Sequence, residues 1–279
     1  MPSIFDVAKH FDDTPVVDGY TLAPLYLGQF ATFLEASPDG NTSQRRTMSL
    51  APGLAIPARR VIYAQDTTHL VGFGTVDTFF GATIRQAFWL KHATGLFTIL
   101  TPAEAALGSI GRTAYAHRDY LKDTVNTSTD SEYDPFWNIF FTPIEGVLKG
   151  TFLEFEGTFY RVRSKHVGIE DLTNAAADEL DAGSRVTVEF TSTGAYDPVT
   201  DTMAGGSVTT TGILLDRYQF YELKTEADAL TKAGDKTLVV AASAITPEVG
   251  RPVTVNGQPW RIEQSTPEQD AYALHIRRP

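Results

Sequence analysis

Arg185-Val186-Thr187-Val188-Glu189-Phe190-Thr191-Ser192 alternates apolar and polar residues without a break. On an extended chain Val186, Val188 and Phe190 share one side and Arg185, Thr187 and Glu189 the other, so the spacing predicts a strand with one buried and one wet face. Short runs of the same kind, rich in Val, Ile, Thr, Phe and Tyr and cut by Gly, Pro, Asn or Asp, lie on both sides of it. Downstream they are Ile213–Glu222, Thr237–Ala241, Pro252–Val255, Pro259–Gln264 and Ala271–Arg277. Upstream they are Gln29–Glu35, Thr47–Leu50, Arg60–Ala64, His69–Val76, Ala82–Leu90, Gly95–Leu100, Asn138–Pro143, Leu148–Phe155 and Thr158–Arg163. The expected class is mainly β, with two β-barrel or sandwich-like domains and minor helical insertions. Ala182-Gly183-Ser184 is the expected boundary, giving a β-rich domain over 1–183 and a small barrel over 184–279.

Two stretches have helix-forming composition, Pro102–Asp123 and Glu170–Asp181. Thr101-Pro102-Ala103-Glu104 suits a helix start, with Thr as N-cap, Pro in the first turn and a carboxylate near the positive end of the dipole. A helical insertion near 102–123 is therefore expected in the first domain. Asp123–Pro135 is polar and turn-rich and reads as an exposed loop. Tyr196–Gly212 reads as a second loop, longer than a usual hairpin connection. Met1–Ala23 reads as an arm that orders against a neighbouring subunit. There is also an internal echo: Glu156-Gly157-Thr158-Phe159-Tyr160-Arg161-Val162 resembles Asn256-Gly257-Gln258-Pro259-Trp260-Arg261-Ile262, as a duplicated barrel would produce. Tyr133-Asp134-Pro135 likewise echoes Tyr196-Asp197-Pro198.

The 279 residues are enough to bury a core without crosslinks. Cysteine is absent, which excludes disulfides, thiolate catalysis and Cys-ligated metals. The net charge of −11 argues against a surface that grips phosphates. Met1–Asp12 does not read as a secretory leader and no apolar run of roughly 18 residues is present, so no membrane contact is expected. The Asn41 and Asn126 sequons are read as chance matches.

Searching for chemistry yields little. Gly72-Phe73-Gly74-Thr75-Val76-Asp77 begins like a dinucleotide loop but lacks a third glycine and a following helix, so a strand bulge is expected. His117-Arg118-Asp119 matches a kinase triplet without its companions. His10, His69, His92, His117, His166 and His275 show no metal-ligand spacing. Glu154 and Glu156 are expected on one strand face, as in any solvated sheet. No catalytic, cofactor-binding or metal-ligating residue is assigned.

The last hundred residues resemble the head-closure, or head–tail joining, proteins of the neck of tailed phages. The elements, in order, are Tyr196-Asp197-Pro198, the loop through Gly205-Gly206, and Tyr218-Gln219-Phe220. Next come Gly234-Asp235-Lys236 before Leu238-Val239-Val240, then Trp260-Arg261-Ile262 and Leu274-His275-Ile276-Arg277-Arg278. Where the family usually repeats the Gly-Asp turn, this chain has Gly250-Arg251. The resemblance implies a non-enzymatic virion protein, assembled in the host cytoplasm, that forms a ring of six or twelve copies at the head–tail interface. Its partners would be its own copies, the portal or adaptor and the tail proteins, with DNA passing through. Tyr196, Asp197, Pro198, Asp201, Met203, Gly205 and Gly206 would form the channel or interface loop. Exposed sheet edges would pair across the joint between copies. The alternatives are a tail-tube, tail-terminator or tail-hub protein and, further off, a virion-associated carbohydrate-active β-sandwich.

Overall fold

In the computed structural model of the chain, the Arg185–Thr191 strand has alternate residues buried and exposed along its whole length, with Val186, Val188 and Phe190 inside. The structure describes residues 13–36, 42–51, 53–79, 82–120, 137–167, 171–180, 185–191, 196–197, 202–203, 206–215 and 234–279. The strands, in chain order, begin with β1 (Asp13–Asp18), β2 (Pro24–Ala36), β3 (Thr42–Leu50), β4 (Val61–Ala64), β5 (Thr67–Phe79) and β6 (Ala82–His92). They continue with β7 (Gly95–Leu100), β8 (Arg112–Tyr120), β9 (Trp137–Phe141), β10 (Phe152–Phe155), β11 (Thr158–Val167) and β12 (Thr173–Leu180). The last are β13 (Arg185–Thr191), β14 (Tyr196–Asp197), β15 (Thr202–Met203), β16 (Ser207–Leu215), β17 (Lys236–Ala241), β18 (Pro252–Val255), β19 (Gln258–Glu268) and β20 (Ala271–Arg277).

These strands close three six-stranded barrels, with β14 and β15 as a separate two-stranded sheet. The mainly-β class is therefore as expected, and the region over 1–183 holds two barrels. All three close in one order. Counting strands within each barrel, the sequence around the wall is first, second, third, sixth, fifth, fourth, provided β14–β15 is treated as an insertion after β13. The chain divides into two compact units, 1–97 with 113–149 and 163–178, and 98–112 with 150–162 and 179–279. The first barrel lies in the first unit and the third in the second. The strands of the second barrel are divided between them.

The fourth and fifth strands of each barrel are joined by a two-residue turn: Gln65-Asp66, Glu156-Gly157 and Asn256-Gly257. All six residues have φ between 48° and 79°. Two successive positive φ angles give the turn whose twist matches that of the flanking strands. The internal echo in the sequence is this hairpin in the second and third barrels, and the first barrel has it with Gln-Asp in place of X-Gly.

Three stretches differ from expectation. Asp13–Asp18, inside the expected arm, is a strand paired with both β2 and β4. Only Val16 and Val17 carry an apolar signal there, and closing the barrel, not propensity, makes it a strand. Met1–Asp12 lies outside the described residues. Among the described residues of the 102–123 insertion only Pro102–Leu107 (α1) is helical, started by the expected Thr101/Glu104 capping box and ended by left-handed Gly108. Ala114 and Ala116 of β8 then point into the second barrel. Thr173–Leu180, expected to be helical, is the sixth strand of that barrel, paired with β9 and buried from Thr173 to Asp178. Its alanines fit a crowded wall, and tertiary pairing overrides their helix propensity. Asp123–Pro135 lies outside the described residues.

Candidate functional site

Of the expected loop residues, Tyr196 and Asp197 pair with Met203 and Thr202 as β14 and β15. Gly206 is exposed just before β16. Pro198, Asp201 and Gly205 lie outside the described residues. The stretch expected as one loop to Gly212 is shorter, because Ser207–Gly212 pairs with β13. The Thr-rich run on β16 is a strand whose partner, not its composition, defines it.

Two motif elements of the third barrel converge. Gly234-Asp235 enters β17, and Asp235 is 7% exposed overall. His275 Nε2 donates to Asp235 Oδ2 at 2.9 Å. Arg277 donates from Nε to Oδ1 at 3.0 Å and from Nη2 to Oδ2 at 2.8 Å. Arg277 Nη1 also lies 3.8 Å from Glu263. A buried carboxylate is tolerated because both oxygens accept charge-assisted hydrogen bonds. The network ties the start of β17 to the end of β20.

In the first unit the histidines gather more than their sequence spacing suggested. His69 and His92 are directly cross-strand and edge-to-face at 6.2 Å. His117 Nδ1 is 2.6 Å from His92 O, and its Nε2 is 2.6 Å from Asp119 Oδ1. Lys91 Nζ stands 3.4 Å from Asp119. The hydrogen bond from His117, together with the charges of His117 and Lys91, holds the Asp119 carboxyl below its usual range. Both nitrogens of His117 thus face acceptors, which positions the ring between β6 and its own strand. Burial, then the charges of Arg46 and His92, lowers the pKa of His69 to about 4. Among the described residues no group of three or more His, Asp and Glu could hold a metal ion.

The Gly72–Val76 stretch is a bulged strand, as expected: the β5–β6 register shifts between Val71 and Gly74. A Cβ on Gly74 would come within 2.5 Å of the Phe88 ring, so any side chain there would have to displace that ring. Phe73, Val76, Gln86 and Phe88 line an open pocket of about 280 Å³, with Arg60 and Asp171 among its walls. Glu154 sits on β10, but Glu156 is a turn residue with φ 50°, so the two do not share a strand face.

Each unit also contains a contact between barrels. In the first unit Val61 and Leu70 of the first barrel pack with Ala93 and Leu172, flanked by Tyr20, Tyr115 and Phe140. Arg59 lies 3.7 Å over the Tyr20 ring and donates to Glu145 Oε1 at 2.8 Å and to Thr113 O at 2.9 Å. Tyr20 Oη accepts from Tyr115 N at 3.2 Å. Burial lifts the Tyr20 hydroxyl above its ordinary range. Arg60 pairs with Asp171.

In the second unit Leu100, Ala105, Phe152 and Phe159 pack with Ile213, Leu215, Val239 and Ala271 of the third barrel. Arg161 Nη2 donates to both oxygens of Glu268, at 2.8 and 2.6 Å. Thr211 Oγ1 and Arg185 Nε cap the carbonyls of Ala106 and Ala105 in α1. Both contacts have one plan. The earlier barrel presents its fourth and fifth strands and the connection after its first strand. The later barrel presents its second and third strands and the run into its sixth. Sequence reading missed this face. Its only signal was Leu70 and Arg161, which stand at the same step after their hairpin turns.

The chain matches no protein-family model, no curated protein sequence and no solved structure.

Proposed function

We propose that this chain is a structural subunit of a tailed-phage head–tail connector, a ring of copies between the portal or its adaptor and the tail through which DNA passes. The supporting observation is the third barrel, in which the Gly234-Asp235 turn and the His275–Arg277 strand end, elements of the resemblance some 40 residues apart, meet in one buried network. The net charge of −11 agrees with a lumen that does not retain DNA, because non-specific affinity comes from cationic neutralisation. Closed barrels leave few free strand edges, so copies would meet through side-chain faces more than through strand addition.

Three barrels in one chain also support a second reading, a tail-tube, tail-terminator or tail-hub protein, because each copy then brings several barrels to a tube wall. Cryo-electron microscopy of particles with the chain specifically labelled separates the two. Density as a ring directly beneath the portal is the expected result. A position along the tail or at its tip transfers the assignment to the second reading, and absence from the particle overturns both.

A further inference from the structure

The register of the fourth-to-fifth-strand hairpins makes residues of the three barrels comparable one by one. Four steps before the turn stand Val61, Phe152 and Pro252. Directly across stand Leu70, Arg161 and Arg261. In the first two barrels these positions are covered by the next barrel along the chain: Val61 is 1% exposed, Phe152 and Leu70 are 0%, and Arg161 is 5%. In the third barrel Pro252 is exposed, and the Arg261 side chain is 56% exposed although it pairs with Glu263. Among the described residues no further barrel covers this hairpin.

The opposite face shows the complementary exposure. The second strands of the later barrels carry outward residues that meet the barrel before them: half-buried Tyr115 on β8, and Ile213 (0%) and Leu215 (3%) on β16. On β2 the inward residues are marked by the pairing of Val16 with Tyr26, both in the first barrel's core. Leu25 and Leu27 therefore point outward, and they are 37% and 58% exposed. Outward leucines on a water-facing strand lose free energy that a covering barrel would recover.

We infer that the third barrel of one copy docks, through Pro252, Arg261 and the β18–β19 hairpin, onto the outer face of β2 in the first barrel of a second copy, repeating the contact found in each unit. Such an interface is heterologous. It leaves one face of each kind free at the ends of any open assembly, so the chains propagate until the rotation per copy closes a ring. The inference stands on the repeated contact and not on the virion assignment. A chain that self-associates this way yet is absent from phage particles would leave it intact.

Sedimentation velocity on the full chain tests it. The wild-type protein should form dimers and larger species as its concentration rises to about 100 μM. Leu27→Asp and Pro252→Asp, both at exposed positions, should each weaken association about 100-fold. Their equimolar mixture should give dimers and nothing larger, because only one intact interface can form between the two variants. A wild-type chain that stays monomeric, variants that assemble like wild type, or a mixture that does not pair would each overturn the inference.

Discussion

Phe152 and Pro252 occupy the same step of the same hairpin in successive barrels, yet one is sealed beneath a neighbouring barrel and the other faces water. The difference is not in the barrel plan, which is shared strand for strand. It lies in whether another barrel is seated on the hairpin. The chemistry of each position tracks its cover: an aromatic and a buried arginine beneath a neighbouring barrel, a proline and an exposed arginine in the open. The third barrel also carries its own internal tie, Asp235 with His275 and Arg277, joining two neighbouring strands of its wall.

Truncation should separate the two positions most. Phe152→Ala should lower stability by about 4 kcal/mol, a large-to-small change in a packed contact. Pro252→Ala should stay within about 0.5 kcal/mol of wild type. Paired denaturant curves on the two variants measure this, and equal costs would contradict the assignment of covered and uncovered faces. Asp235→Asn should cost about 3 kcal/mol by leaving His275 and Arg277 without their carboxylate, read as earlier loss of structure in the third barrel by hydrogen exchange.

Acid separates the barrels differently. Opposite their fourth strands they bury His69, Tyr160 and Trp260 at one register position. The pKa of His69 falls to about 4 from an ordinary 6.5. The unfolded chain therefore binds a proton that the folded one refuses between those values. The stability from neutral His69 is complete above about pH 6.5 and lost as pH falls toward 4, about 3 kcal/mol in all. Hydrogen exchange should show the first barrel loosening over that range, and His69→Tyr should remove the effect. The smallest contrast is in the arginines: Arg161→Met should cost about 2 kcal/mol and Arg261→Met less than about 0.5 kcal/mol in the isolated chain.

Much of this fold was legible. Alternation at Arg185–Thr191, the capping box at Thr101 and the bulge at Gly72–Gly74 each follow from local rules, and the structure has all three. What local rules missed is what closes the barrels. β1 carries two valines, and β12 is alanine-rich with a helix-like composition. Both are strands because a wall with five strands has an open edge that a sixth completes. The repeat was half visible, because Glu156-Gly157 and Asn256-Gly257 match while Gln65-Asp66 reaches the same φ angles with different residues. The faces between barrels were not legible, since burial by a distant segment leaves no period in the sequence. The candidate loop at Tyr196–Gly206 was legible only as an insertion between strands.

The most direct measurement is a cryo-electron microscopy map of the assembly formed by the full chain. The account predicts the β18–β19 hairpin of one copy seated on the outer face of β2 in the next, with Pro252 and Leu27 buried at the contact. A map with third barrels packed against each other, or with both residues left in solvent, would contradict it.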